Sequence, residues 1–357
     1  MTWADCRLTD LLGIEHPIVQ APMAGSGTVD LAVAAASAGA LGSLPCATLT
    51  PDGIRADFLA MRARTKQPLA LNFFCHRPPE PDPARQAAWR RRLAPFAAEL
   101  GLDPDAPPAG GGRAPFDETL CRLVEEVRPP VVSFHFGLPE PALLRRVQDT
   151  GATILSSATT VAEARWLEEA GIDAVIAQGA EAGGHRGIFL EGRVDAQPGL
   201  FALLPQVVDA VRLPVIAAGG IADGRGIAAA LALGAAGVQV GTAYLFCPEC
   251  RISAPYREAL RAGRDDGTLL TNVFTGRPAR GLANRAILEL GPLADDAPAF
   301  PDATPAIAPY RAAAEARGSG DFSPLWAGQA VALGREMGAA ELTRSLAADA
   351  LARLRRS

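Results

Sequence analysis

Residues 177–187 read AQGAEAGGHRG, and they follow IDAVI at 172–176, a short apolar run that is typical of a buried strand. Four glycines in so short a stretch cannot form an ordinary helix, and they suit a loop whose backbone passes close to a ligand. His185, one of only four histidines, lies among them. A mobile loop with a histidine at a strand end suits a general base. The alternative is a surface turn with a solvated histidine, and this stretch alone favours neither.

The same rhythm of strand and helix continues on both sides of this stretch. Short apolar runs alternate with helical segments, and they lie at 17–20, 40–44, 69–74, 130–134, 152–156, 172–176, 214–218 and 236–240. Continuous apolar runs are expected where both faces of a parallel sheet are buried. We therefore predict an α/β fold, a closed (β/α)8 TIM barrel, with an open doubly wound sheet as the alternative.

Two segments depart from this rhythm. Residues 77–115 are rich in proline and glycine around a helical stretch at 84–100, which predicts an insertion after the third strand. Residues 251–357 are mostly helical, with helices expected at 305–317, 325–337 and 340–355. We interpret this part as an extension packed on the barrel, so that residues 1–357 form a single domain.

Composition excludes several classes of function. The 357 residues suit one barrel of ~250 residues with additions. The net charge is -5 and the basic residues are not gathered in one block, which argues against nucleic acid as a partner. We expect a cytoplasmic protein, because no signal peptide and no membrane-spanning run is evident. The six cysteines are scattered, and the CxxC at 247–250 lacks a second pair, so no metal site is predicted. A homo-oligomer is left open.

Two glycine-rich strand ends carry the strongest signal for a ligand. AAGGIADG at 217–224 follows the seventh predicted strand, and QVGT at 239–242 closes the eighth. Adjacent glycines let backbone N–H groups converge on a phosphate, and barrel phosphate sites commonly lie between these two loops. We predict a phosphate site there, to which the Thr242 hydroxyl adds a donor. Simple tight turning is the alternative.

A phosphate held at this place leaves the rest of a cofactor lying across the mouth of the barrel. Asn72 and Gln178 can then donate to and accept from a flat heterocycle, while Met23 and the backbone after Gln20 close one side. FMN fits such a site. The first predicted strand is not followed by GxGxxG, so a Rossmann-type dinucleotide site is not indicated.

Several segments together resemble the nitronate monooxygenases, formerly called 2-nitropropane dioxygenases. They are QAPMAG at 20–25, LNFFCH at 71–76, QGAEAGGHRG at 178–187, AGGIADG at 218–224, FTGRPARG at 274–281 and LWAGQ at 325–329. The GGH and AGGI segments are shared with related FMN barrels, whereas NFFCH and WAGQ point to class I of the family. The resemblance covers nearly the whole chain except the insertion.

The resemblance implies non-covalent FMN on a TIM barrel. It also implies oxidation of alkyl nitronates, propionate 3-nitronate among them, with O2 to a carbonyl compound and nitrite. His185 would take the α-proton of a neutral nitroalkane and orient a nitronate that arrives already deprotonated. The positions expected to contact the cofactor are Gln20, Ala21, Pro22, Met23, Asn72, Gln178, Gly183, Gly184, Gly219, Gly220, Gln239, Val240, Gly241, Thr242, Trp326 and Gln329.

Other residues and other functions stay open at this point. His135 is either a substrate-facing catalytic residue or a hydrogen-bonded rim histidine, and Arg186 either attracts an anion or is an exposed loop residue. The main rival function is an FMN-dependent NAD(P)H:quinone reductase or enoyl-acyl-carrier-protein reductase, which an assay of NADH oxidation would separate. A flavin-free isomerase or lyase acting on a phosphorylated substrate, and a non-catalytic flavin-binding protein, are the further alternatives.

Overall fold

The central sheet contains eight parallel strands among the residues that the computed structural model describes, which are 3–103, 113–190 and 193–355. The strands of this part of the chain are β1 (Ile18–Gln20), β2 (Gly42–Pro45), β3 (Leu69–Phe74), β4 (Val131–His135), β5 (Thr153–Ala158), β6 (Ala174–Gln178), β7 (Gly184–His185), β8 (Val215–Ala218), β9 (Gly237–Val240), β10 (Thr268–Thr271) and β11 (Ala279–Leu282). All except β7, β10 and β11 belong to the central sheet, whose spatial order is β1-β9-β8-β6-β5-β4-β3-β2.

The sheet closes on itself between its first and last strands. A parallel bridge joins Val19 of β1 to Leu41, the residue just before β2. The Gln20 amide donates to the Leu41 carbonyl at 2.9 Å, and the Leu41 amide donates to the Ile18 carbonyl at 2.9 Å. The predicted closed barrel is therefore confirmed, and the open sheet is wrong.

Helices follow the barrel strands in the predicted alternation. The α-helices of the described residues are α1 (Arg7–Leu12), α2 (Val29–Ser37), α3 (Pro51–Arg64), α4 (Pro83–Leu100), α5 (Glu118–Val127), α6 (Pro141–Asp149), α7 (Val161–Glu169), α8 (Leu200–Ala210), α9 (Gly224–Ala232), α10 (Thr242–Leu245), α11 (Ala254–Arg261), α12 (Arg285–Leu290), α13 (Ala303–Ala316) and α14 (Ala339–Leu354). Several begin at side-chain caps, because Thr28, Thr50, Thr160 and Asp223 each accept a hydrogen bond from a backbone amide of the first turn. None of these helices is long and apolar enough to cross a membrane.

Alternate residues of each barrel strand face the barrel interior and the surrounding helices. In β3, Leu69, Leu71 and Phe73 pack in the layer between sheet and helices, whereas Ala70 belongs to the cluster inside the barrel. The same parity sends Asn72 to the interior near the carboxyl end of the strand. The interior is therefore apolar at its base and turns polar only at the strand ends.

The base of the barrel is closed by α1. Leu8 and Leu12 of this helix and the following Ile14 pack in the interior cluster with residues of the strands, among them Val19 and Leu41. All five side chains are buried. Because the amino-terminal end of the barrel is filled in this way, a ligand can enter only from the opposite end, where the strands finish.

The insertion after β3 and the segment after β9 share a second hydrophobic cluster. Trp89, Leu93 and Phe96 of α4 pack there with residues of α12 and α13, including Ile287 and Ile307. The predicted helix at 84–100 is thus confirmed, while residues 104–112 of the predicted insertion lie outside the described residues. The interpretation of the whole chain as a single domain stays a prediction.

Two features of the segment after β9 differ from the expectation. Strands β10 and β11 pair antiparallel, and β11 also pairs antiparallel with β7, so the glycine-rich loop is tied to this small sheet. The helix expected at 325–337 is wrong, because only a short 3₁₀ turn at Val331–Leu333 forms there. Gly328 and Gly334 flank that turn, and glycine disfavours helix.

The last helix completes the barrel. Helix α14 packs against α9, which follows β8, and against α2, which follows β1. It therefore covers β9 from outside, in the position of the eighth barrel helix. Residues between α10 and α14 are accordingly inserted between the eighth strand and its own helix, and they lie at the end of the barrel where the strands finish.

Candidate active site

A cavity of about 1270 Å³, counted out to its open mouth, lies at the carboxyl ends of the barrel strands. Interior-facing side chains of β3, β4, β5 and β6 form its floor: Asn72, Ser133, His135, Ser157 and Gln178. The inserted segment closes its upper side with Tyr256 and Trp326. The site thus lies where active sites of (β/α)8 barrels are found.

Most of the residues predicted for the site line this cavity. They are Ala21, Pro22, Met23, Asn72, His135, Gln178, Gly183, Gly184, His185, Gly219, Gly220, Gln239, Gly241, Thr242 and Trp326. Their assignment as catalytic or cofactor-binding residues stays a prediction, but their common position agrees with it.

Three predicted residues do not line the cavity. Gln20 is completely buried, and its amide group hydrogen-bonds to the Ala21 carbonyl and, at 3.0 Å, to the Ser43 amide. Val240 is equally buried in the layer between sheet and helices. The side chains of Gln20 and Val240 point away from the cavity because successive residues of a strand face opposite sides of the sheet. The residues next to them, Ala21, Gln239 and Gly241, line the cavity instead. Gln329 is exposed, and its backbone amide donates to the Glu181 carbonyl at 3.0 Å.

The two glycine-rich loops present free backbone donors to the cavity. Gly219 and Gly220 have φ values of 121° and 66°, a region that favours glycine. Among the described residues, no acceptor is bonded to the amides of Gly220, Gly241 and Thr242. The Thr242 hydroxyl accepts from the Gly328 amide at 2.9 Å, which leaves its hydrogen free to donate. These groups can bind a phosphate.

Asn72 and Gln178, the two amide side chains predicted to face the cofactor, differ in whether they keep an atom free to hydrogen-bond to it. Asn72 donates through Nδ2 to the Ser133 hydroxyl at 2.9 Å and carbonyl at 3.2 Å, and its Oδ1 remains free to accept. Gln178 is committed at both ends, because Nε2 donates to the His185 carbonyl at 2.9 Å and Oε1 accepts from the Gly187 amide at 2.8 Å. Asn72 is thus free to bind a ligand, whereas Gln178 positions the loop.

The glycine-rich loop at 177–187, which carries His185 and was expected to be mobile, is held by contacts with neighbouring segments. His185 pairs with Ala279 of β11, and the Arg186 amide donates to the Pro278 carbonyl at 2.8 Å. Gly183 lies against the 325–330 segment so closely that a Cβ would come within 2.5 Å of the Gly328 nitrogen. The backbone that carries His185 is therefore held by contacts on both sides of the histidine.

The His185 imidazole faces the cavity with one nitrogen bonded. Its Nε2 lies 3.0 Å from the Thr275 hydroxyl, which in turn lies 3.3 Å from the Arg277 carbonyl. If the hydroxyl hydrogen goes to that carbonyl, the oxygen accepts from Nε2–H and the lone pair of His185 is on Nδ1. Nδ1 has no bonded partner among the described residues, so it can act as a base towards the cavity.

The surroundings of His185 keep it neutral. Burial lowers its pKa well below the usual value of 6.5, and the nearby charges of Arg113 and Arg277 lower it further. Phe300 packs edge-on against the ring and Trp326 at a tilt, at centroid distances of 5.3 and 5.5 Å. The imidazole is therefore uncharged near neutral pH, which is the form that can accept a proton, while the same surroundings disfavour the imidazolium that results.

His135 lies beneath this loop and is hydrogen-bonded at both nitrogens. Nε2 is 3.3 Å from the His185 carbonyl, which can only accept, so Nε2 carries the proton. Nδ1 then accepts from the Ser157 hydroxyl at 2.5 Å. Burial lowers the pKa of His135 to about 3. These bonds give His135 a positioning role under His185.

Arg186 is a buried structural residue rather than an exposed one. It is 1% exposed, and its guanidinium donates to the carbonyls of Gly179 and Gln178 and to the Gln197 side chain at 2.6–2.8 Å. It does not line the cavity. Arg186 instead holds together the start and the end of the glycine-rich loop.

Sequence reasoning missed several residues of the site. Ser133 and Ser157 follow from strand parity, since each lies two residues from another interior position of its strand. Arg113, Tyr256, Thr275 and Phe300 come from the insertion and from the segment after β9, and only tertiary packing brings them to the barrel mouth. No local pattern indicated Arg113, Tyr256 or Phe300, and Thr275 was noted only as part of the FTGRPARG segment.

Comparison with known proteins gives one consistent family. Residues 5–349 match the family model described as nitronate monooxygenase. The nitronate monooxygenase of Pseudomonas aeruginosa is 47% identical over 345 residues, covering 95% of this chain and 97% of the relative. That of Paraburkholderia phytofirmans is 43% identical, covering 95% and 93%.

Solved structures agree in fold. A nitroalkane oxidase from Streptomyces ansochromogenes superposes with a TM-score of 0.89 at 41% identity, covering 98% of this chain and all (100%) of that one. FabK from Thermotoga maritima superposes with a TM-score of 0.75 at 29% identity, covering 99% and 98%. The barrel, the position of its cavity and the match along nearly the whole sequence lead to one conclusion: the chain belongs to the nitronate monooxygenase family of oxidoreductases.

Proposed function

We propose that this enzyme binds FMN and oxidises alkyl nitronates, propionate 3-nitronate among them, with O2 to a carbonyl compound and nitrite. The observation that carries the proposal is one cavity that combines two features. Free backbone donors of the loops after β8 and β9 lie at one side of it, and the neutral His185 faces it from the loop after β6. Family membership supports the reaction class.

The residues present fit FMN. The amides of Gly220, Gly241 and Thr242, with the Thr242 hydroxyl, would hold its phosphate. The free Oδ1 of Asn72 would accept a hydrogen bond from the ring system. Trp326 lines the cavity on the side of the inserted segment and would cover the ring. When bound, FMN supplies the acceptor for the electrons of the substrate and passes them to O2.

The protein supplies orientation and proton transfer. Nδ1 of His185 would take the α-proton of a neutral nitroalkane, and the resulting imidazolium would be short-lived because burial and nearby arginines disfavour it. With a nitronate, no proton has to be removed; in the other tautomer, in which Nε2 accepts from the Thr275 hydroxyl, Nδ1–H would donate to the anion and orient it. Gln178 and His135 hold the His185 carbonyl in place during both reactions.

Purification followed by anaerobic reduction tests this function. We expect a yellow protein that releases FMN, identified by mass spectrometry, and whose flavin absorbance bleaches when propionate 3-nitronate is added without O2. Release of FAD, or no flavin after reconstitution, would contradict the phosphate site. Bleaching by NADH or NADPH but not by a nitronate would instead favour the reductase alternative. Cytoplasmic localisation and a homo-oligomer stay predictions.

A further inference from the structure

The cavity has an uneven distribution of charge. Among its described lining residues, Arg113 is the only one with a permanently charged side chain, and no aspartate or glutamate lines it. The histidines of the lining, His135 and His185, are neutral because burial lowers the pKa of each. The cavity is therefore positive at one point, which favours an anionic ligand there.

Among the described residues, Arg113 has no counterion of the kind that a shielded arginine normally has. Its Nη1 donates to the Thr304 hydroxyl at 3.0 Å, but its Nε is buried with no hydrogen-bond partner. No described carboxylate forms an ion pair with it; burial lowers its pKa, and the charge of another cation, Arg311, lowers it further. A desolvated guanidinium without a counterion is costly, and carboxylates are the groups that its planar fork binds best.

The position of Arg113 separates it from the predicted phosphate site. Three residues later, the Phe116 amide donates to the carbonyl of Phe74 at the end of β3 at 2.7 Å. In the closed barrel, three strands separate β3 from β8 in either direction, so Arg113 lies across the mouth from Gly219 and Gly220. A phosphate held at those glycines leaves Arg113 without an anion.

Phe300 lies next to both Arg113 and His185. The Arg113 guanidinium carbon is 6.0 Å from the centre of the Phe300 ring, and the His185 ring is 5.3 Å from it. Arg113 affects the pKa of His185 through its charge but makes no hydrogen bond to it. A substrate whose reacting carbon faces His185 can thus extend past Phe300 towards the guanidinium.

We propose that Arg113 is a specificity-determining residue that binds a carboxylate at the far end of the substrate. This inference rests on the proposed function and names the class of nitronate that it favours, one with a second anionic group. Arg113 would contribute a charge-assisted hydrogen bond to such substrates and nothing to nitronates with an alkyl end.

The test compares substrates with and without the carboxylate. In FMN-loaded enzyme, we expect Arg113→Gln to raise KM for propionate 3-nitronate by about 10–100-fold with little change in kcat, as loss of a charged hydrogen bond implies. KM for butyl-1-nitronate should change by less than about 3-fold, a change well below the loss of one such bond. Arg113→Lys keeps the charge and should restore part of the affinity. Arg311→Gln removes a nearby charge outside the cavity lining and serves as the matched control.

Binding of succinate gives a readout that does not need turnover. Quenching of tryptophan fluorescence by succinate should weaken in Arg113→Gln and not in Arg311→Gln. Equal effects on both nitronates, or succinate binding that the substitution leaves unchanged, would overturn the proposal, as would a lower FMN content that assigns Arg113 to the cofactor. A wild type that oxidises no nitronate would refute the proposed function, and succinate binding would then still decide whether Arg113 binds a carboxylate.

Discussion

Replacement of His185 by asparagine separates proton transfer from every other step of the proposed reaction. Asparagine keeps a polar side chain at the cavity but cannot accept a proton near neutral pH. The His185 backbone is held by β11, Gln178 and His135, so the loop should keep its position in His185→Asn. The variant therefore tests the chemistry of the ring rather than the fold of the loop.

The size of the effect should depend on the protonation state of the substrate. A positioned base contributes about 10²–10⁴-fold, so kcat/KM for a neutral nitroalkane should fall by that factor. A preformed nitronate needs no base, and it loses at most the hydrogen bond that orients it, about 2–10-fold. The two losses should thus differ by at least about tenfold in one and the same variant.

The assay is anaerobic reduction of the flavin by nitroethane and by ethylnitronate, followed by absorbance in wild type and His185→Asn. Flavin content is measured on the same samples, since misfolding would lower it together with both activities. His16→Asn changes a histidine that does not line the cavity, and it should react like the wild type. Equal losses on both substrates would remove the base role and leave His185 as an anion-orienting residue.

Three further outcomes follow from the same geometry. Gly220→Val should lower the ratio of flavin to protein. Gly151→Val is the control: Gly151 has a similar φ of 79° and no heavy atom within 4 Å of the added Cβ, so this variant should be strained to a similar degree and keep its flavin. The value of kcat/KM for a neutral nitroalkane should stay level from pH 7 to pH 6, because the lowered pKa keeps His185 neutral. Arg113→Gln removes a charge that lowers this pKa, so the fall of kcat/KM at acid pH should move to higher pH. A fall near the ordinary pKa of 6.5 in wild type would contradict this. His135 should lower the free energy of unfolding by about 1.4 kcal/mol per pH unit as the pH drops from 6.5 towards its folded pKa of about 3. The reason is that the unfolded chain binds the proton in this range and the folded chain does not. The free energy of unfolding measured against pH should therefore have a smaller slope in His135→Asn.

The barrel could be predicted because its signals are local. A strand such as β3, with six buried residues, reads as a continuous apolar run, and Thr28 or Asp223 marks the start of the next helix within a few residues. Closure did not follow from this alternation alone, since an open sheet has the same pattern, and the pairing of β1 with Leu41 decides it. The helix expected at 325–337 rested on the helical propensity of its alanines and leucines, but the backbone at Gly328 packs against Glu181 and Gly183, and only 331–333 forms a helical turn.

Only those residues of the site that lie at the ends of barrel strands could be predicted from the sequence. Asn72 and Gly220 lie at such ends, and strand parity would also have found Ser133 and would have removed Gln20 and Val240 from the lining. The free donors of the phosphate loops also follow from their glycines. What the strand ends cannot indicate is which residues of a distant segment fold back over them.

That distant segment is part of the site and not an appendage to the barrel. His185 has its backbone partner in β11 and its side-chain partner in Thr275, both from the segment inserted before α14. The same segment supplies Trp326 and Tyr256, whose hydroxyl donates to the Trp326 carbonyl at 2.5 Å. Antiparallel pairing of two-residue β7 with a strand almost a hundred residues later leaves no periodic signal in either partner. The glycine-rich loop was therefore recognisable from its residues as a candidate for catalysis, but the contacts that would hold His185 in place as the proposed base exist only in the folded chain.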